Sequence, residues 1–115
     1  MTEQCEPRVR HEAGAAIIEL NGTINAQAEA AIGAAYEEAV ARGPSRIVLG
    51  FGGTDYINST GIALIVGLLA RARKEGRPVA AYGLTEHFRE LFEITRLADF
   101  MRIVPDEASA LAVTS

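Results

Sequence analysis

The sequence predicts an α/β domain: a mostly parallel β-sheet with an antiparallel edge hairpin strand and about four helices. Three observations carry this. Strand-like and helix-like apolar patterns alternate along the chain after an opening hairpin. The run Arg-Ile-Val-Leu-Gly-Phe at 46–51 is short and apolar, as in a strand buried on both faces. The stretch 62–70 is apolar nearly all round and then turns basic at Arg71, Arg73 and Lys74. That pattern predicts a helix buried in the middle of a small domain, with cations at the negative end of its dipole.

In order, 8–12 and 15–20 read as the two strands of a hairpin turned at Ala13-Gly14, with Asn21-Gly22 ending the second. A helix is predicted over 26–42, with Ala28, Ile32, Ala35, Tyr36, Ala39 and Val40 on one face. Asn25 caps its start and Gly43-Pro44 stops it. After the buried strand, Gly52, Gly53, Thr54 and Asp55 read as a loop, and the central helix runs on to Gly76. A strand follows over 78–83. Thr85 caps the next helix, and Leu84, Phe88, Leu91, Phe92 and Thr95 lie at the spacing of one mostly apolar face. A last strand over 100–104 leads into a short helix through Ala108, Leu111 and Val113.

At 115 residues, 49% hydrophobic and 23% charged, the chain reads as one globular domain over 1–115, with 1–7 as a frayed tail. The longest apolar run falls short of a bilayer span, and the N-terminus lacks the pattern of a secretory signal. A cytoplasmic protein without membrane insertion is therefore expected. A net charge of −4 and no basic stripe argue against nucleic acid as a partner. Cys5 alone forms no internal disulfide, and the scatter of Cys5, His11 and His87 suggests no metal site.

Chemistry concentrates where the buried strand gives way to the central helix. Asn58, Ser59 and Thr60 fall at that helix start. Their structural role there is to cap orphan N–H groups, and the same place favours an anion. A nucleophile elbow also puts Ser on such a turn, but it requires a small residue where this chain has Ile57. Neither His11 nor His87 sits where a catalytic base is expected. The glycines of 50–53 lack the spacing of a dinucleotide fingerprint and the Lys of a P-loop, and read as a sharp exit from the strand.

The stretch Tyr56-Ile57-Asn58-Ser59-Thr60-Gly61-Ile62 resembles the phosphorylation segment of the STAS family, specifically the bacterial anti-sigma factor antagonists. Those carry an aromatic and a bulky apolar residue, then Asp-Ser-Ser/Thr-Gly-Leu/Ile, at the start of a buried helix. One position departs: Asn58 stands where Asp is usual. Gly22-Thr23-Ile24-Asn25 is similar to the family's Gly-Glu-Leu/Ile-Asp, again with Asn for Asp. The run from Phe88 to Leu97 resembles the family's Leu-Phe-x-x-Thr/Ser-Gly-Leu, with Arg96 replacing Gly, so the turn there is expected to be built differently.

The resemblance implies a single STAS-like domain with no catalytic activity and no cofactor. It implies phosphorylation at Ser59 and a partner surface of Asn25, Tyr56, Asn58, Ser59, Thr60 and Gly61. The implied partner is an anti-sigma factor, often a serine kinase. The unphosphorylated form binds it and frees a sigma factor, and phosphorylation reverses this. The chain itself is expected to be a monomer or a weak dimer. A second reading is a regulatory STAS subunit docked on a membrane transporter, such as a lipid-transport ATPase, with no phosphate needed.

Overall fold

A computed structural model describes residues 4–112. The chain opens on an antiparallel hairpin of β1 (Glu6–Glu12) and β2 (Ala15–Ile24). Ala13 and Gly14 turn it, both at positive φ, which matches the right-handed twist of the two strands. A 3₁₀ turn (Ala26–Ala28) leads into α1 (Glu29–Val40), shorter than the predicted 26–42. Then come β3 (Arg46–Gly50), β4 (Thr54–Ile57), α2 (Ser59–Lys74), β5 (Val79–Tyr82) and α3 (Glu86–Ile94). A 3₁₀ turn (Leu97–Asp99), β6 (Arg102–Ile103) and α4 (Glu107–Ala112) complete the described residues.

The sheet order is β1-β2-β3-β5-β6, with β4 beside the far half of β2. Every pairing except β1 with β2 is parallel. Alternation assigns the faces. Ile18, Leu20 and Ile24 of β2 and Ile47 and Leu49 of β3 join the main core beneath α1, α2 and α3. Ile17, Val48 and Ala80 point the other way, under Ala110 of α4. Phe51 and Phe92 meet edge-to-face in the main core, ring centroids 5.4 Å apart.

The expected α/β architecture is present, and several details differ. The tail reading fails for residues 4–7. Cys5 is packed in the main core, Gln4 bridges Thr23, and β1 already starts at Glu6. Residues 1–3 of that tail lie outside the described residues. Burial, then Glu6, pushes the Cys5 thiol up to about 11, so it stays protonated at neutral pH.

Asn21-Gly22 does not end β2. Gly22 takes φ +92 at a register shift, and the strand continues to pair with β4, which the sequence presented as a loop. The predicted strand over 100–104 shrinks to β6, because Phe100 closes the preceding 3₁₀ turn and is exposed. Arg96 takes the left-handed conformation here (φ +67), which costs a residue with a Cβ about 1 kcal/mol. In the last helix Leu111 lies beside the small core, while Val113 is outside the described residues.

Helix α2 is not buried all round. Gly61, Ile65, Leu68, Leu69 and Ala72 face the core, whereas Ala63, Val66, Gly67 and Ala70 are exposed. Small residues, which add little apolar area each, make the outer face look apolar in sequence.

Helix α4 is tied down by polar contacts. Arg10 donates to Glu107, and the Tyr82 hydroxyl donates to the same carboxylate at 3.0 Å. Arg46 also donates to the Leu111 carbonyl. Arg10 above all holds the Glu107 carboxyl below the ordinary carboxylate range; burial, the next largest influence, opposes it, and the Tyr82 hydrogen bond adds to the lowering. A depressed carboxyl stabilises the fold above its unfolded pKa, and that contribution fades as pH falls through the folded value. We therefore expect α4 amides to lose hydrogen-exchange protection in acid before the sheet does. Protection of α4 that persists until the whole sheet opens would contradict this.

Candidate functional site

The parallel pairing of β2 with β4 builds the site. Ile24 and Ile57 are register partners at the ends of these strands, so Asn25 and Asn58 leave the sheet side by side. The Asn58 N–H donates to the Ile24 carbonyl at 3.2 Å. Each Asn then starts a helical segment. Asn25 Oδ1 accepts from the Gln27 N–H at 3.0 Å, and Asn58 Oδ1 accepts from the Gly61 N–H at 2.8 Å. Both are extended caps of the type the sequence predicted.

Gly61 fixes how closely α2 approaches. A Cβ built there would lie 2.0 Å from the Ile24 carbonyl oxygen, a backbone atom with no freedom to move aside. Gly61 is buried, so its role is seating the helix rather than offering surface.

Around that seat the other predicted residues divide by exposure. Ser59 and Thr60 are exposed in the first turn of α2, where the leading N–H groups have no intrahelical acceptor. Tyr56 is 56% exposed just before them, while Asn25 and Asn58 are half-buried. Asp55 is the adjacent acid, and the first turn of α2 contains none. The structure thus brings Asn25, Tyr56, Asn58, Ser59 and Thr60 to one end of the sheet and places Gly61 beneath them. Such a surface can present a hydroxyl to a modifying enzyme, and the helix dipole favours a negative group there.

The glycines of 50–53 act as the predicted sharp exit. The Thr54 N–H closes a turn onto the Phe51 carbonyl, and Thr54 Oγ1 donates to the Leu20 carbonyl. His11 pairs with the Ala39 carbonyl at 3.1 Å, and His87 is exposed on the first turn of α3. Among the described residues no group of three or more His, Cys, Asp or Glu side chains could hold a metal ion. Sequence reasoning missed the exposed stripe of α2 and its neighbour Phe100. The spacing of Ala63, Gly67 and Ala70 was the available signal.

A mostly parallel sheet with an antiparallel edge hairpin, and a capped helix start set against the second strand, define a STAS domain. The chain belongs to this family: the profile described as "Mlab, STAS domain" matches residues 8–105. An anti-sigma factor antagonist from Mycobacterium paratuberculosis is similar in structure, with TM-score 0.80 and 18% identity over 94% of this chain and 92% of that one. The Bacillus cell-fate determinant SpoIIAA in its phosphorylated form superposes with TM-score 0.67 and 18% identity, covering 90% of this chain and 95% of that one. A sulfate transporter family protein from Wolinella succinogenes gives TM-score 0.77 and 16% identity, covering 90% and 86%. At these identities the likeness shows the fold. No curated protein matches the chain by sequence. Among the described residues no helix is long and apolar enough to cross a membrane.

Proposed function

We propose that this protein is an anti-sigma factor antagonist that binds an anti-sigma factor of the serine-kinase type, and that phosphorylation of Ser59 switches the binding off. It acts in the cytoplasm as a binding module with no catalytic activity of its own. The observation that carries the reading is Ser59 itself, exposed in the first turn of α2 and held there by the Asn58 cap and the Gly61 contact. The similarity to antagonists, one described as phosphorylated, supports it. A phosphate adds about −1.5 to −2 charges to a helix start whose own first turn holds no acid. The helix N-terminus tolerates that charge in the free protein, whereas a docked interface without matching cations does not.

The test is a titration of the anti-sigma partner with wild type and Ser59→Asp. The variant is expected to keep its fold and to lose about tenfold or more in affinity, since an unmatched interfacial charge costs several kcal/mol. Equal affinities would remove Ser59 from the contact surface. Phosphopeptide mapping after incubation with the same kinase distinguishes Ser59 from Thr60, and phosphate on Thr60 alone overturns the assignment.

Asn25 and Asn58 replace the acids expected beside this hydroxyl. Their caps survive, but carboxylates that could orient the hydroxyl or help hold the kinase's nucleotide-bound metal are gone. Phosphorylation of Ser59 is therefore expected to be slow, and the unphosphorylated, binding-competent state is the default. Asn58→Asp should speed phosphate incorporation by about a hundredfold, the low end of what one positioned acid–base group contributes. If neither Asn58→Asp nor Asn25→Asp raises the rate, the substitutions are silent.

A second reading is a regulatory subunit docked on a membrane transporter, favoured by the similarity to the sulfate transporter family protein. It predicts stable co-purification with a transporter subunit and no phosphate on Ser59.

A further inference from the structure

Helix α2 leaves one apolar stripe uncovered. Ala63, Val66 and Ala70 are exposed along it, Val66 at 46%. Phe100, 52% exposed, stands beside its lower end, where the Arg73 guanidinium lies 5.6 Å from the ring centroid. Val66, Ala70 and Phe100 border a cavity of about 130 Å³ that also touches Leu69 and Leu97. Val66 and Phe100 thus belong to one small contiguous apolar patch around this notch.

Charge is divided along the same surface. Helices α2 and α3 both start at the sheet edge where β2 and β4 end, and both run back to the opposite edge. Near their starts lie Asp55, Glu86 and Glu90, with Arg89 as counter-charge. At their ends lie Arg71, Arg73, Lys74, Arg77 and Arg96, with Glu75, Glu93 and Asp99 as counter-charges and Glu37 of α1 paired to Arg71, which leaves Arg73 and Lys74 as the cations with no ion pair among the described residues. A face that is acidic at one end, apolar in the middle and basic at the other matches itself when turned end for end. A two-fold axis makes that rotation.

We propose that α2 packs antiparallel against α2 of a second copy of this chain, with Val66 at the two-fold axis and the basic end of each copy against the acidic end of the other. Val66 lies midway between Ser59 and Arg73 in α2, so Arg73 of each copy stands opposite Ser59 of the other. Ala63, Gly67 and Ala70 permit close approach of the two helices, and the opposed helix dipoles add attraction. A negative charge at position 59 therefore strengthens the pair. The inference holds whether or not Ser59 is a phosphorylation site.

The test is sedimentation equilibrium of the full chain from about 10 μM to about 0.5 mM, a range that covers weak association. A reversible monomer–dimer equilibrium is expected. Val66→Asp should weaken it at least about tenfold, since it buries an unmatched charge at the axis. Ser59→Glu should tighten it, and adding Arg73→Glu to Ser59→Glu should abolish that gain. Val66 and Arg73 are exposed, so both variants should keep wild-type circular dichroism, and Arg73→Glu alone suffices if Val66→Asp misfolds. In mild oxidant Val66→Cys should cross-link to itself, while Ala34→Cys, exposed on α1, should not. A strictly monomeric protein overturns the proposal and leaves this face to a different protein. A dimer indifferent to Val66→Asp and Arg73→Glu places the interface elsewhere and overturns it equally.

Discussion

Gly61→Ala is expected to destabilise the protein by about 3 kcal/mol or more, although it adds a single methyl group. The added Cβ would sit 2.0 Å from the Ile24 carbonyl oxygen. That oxygen is fixed, because it already accepts the Asn58 N–H at 3.2 Å and belongs to the paired end of β2. Relief requires α2 to back away from the sheet, which breaks the Asn58 cap and loosens Ile65 and Leu68 in the core. A melting temperature lowered by about 10 °C is the expected reading. A shift under about 2 °C would mean that the helix start yields easily and is not a rigid seat. Tyr56→Ala, a much larger truncation five residues away, is exposed and should change stability by less than about 0.5 kcal/mol.

Phe92→Ala should cost about 3–5 kcal/mol. Phe92 is fully buried, and its ring meets Phe51 edge-to-face with an interplanar angle of 80°. Phe51 leaves the end of β3 just before the turn into β4, so the pair joins α3 to the loop that delivers the helix start. Removing one ring leaves a cavity that α3, only nine residues long, fills poorly. Urea denaturation of the variant gives the loss directly. A cost below about 1.5 kcal/mol would show that the core collapses around the gap.

Much of this arrangement was legible in the sequence. The caps at Asn25, Asn58 and Thr85 were readable because a short polar side chain before an apolar-periodic run has few other uses. The inner faces of α1 and α3 were readable from spacing, and Tyr36, Phe88 and Phe92 are buried as that spacing predicts. What escaped depends on pairing between distant segments. Strand β4 has four residues with Asp55 and Tyr56 exposed, so it lacks the alternation of a half-buried strand, and its partner lies 32 positions earlier at Gly22↔Thr54. Cys5 sits in a polar stretch, yet it is buried by contacts that its neighbours do not announce. Gly61 read as part of a surface motif, and its buried role became visible only once Ile24 was placed beneath it.

The pairing of β2 with three other strands has a consequence for the order in which the molecule comes into being. Neither β3 nor β4 can join β2 until α1 and its flanking turns have closed a long loop, so these contacts form slowly compared with any local helix. The setting of Ser59 depends on the last of them. An isolated peptide spanning 55–62 has neither the carbonyl of Ile24 to dock on nor enough length to nucleate a helix in water. During synthesis β2 leaves the ribosome before Ser59 does, and the hydroxyl acquires its capped setting only when β4 and the start of α2 close back upon that earlier strand.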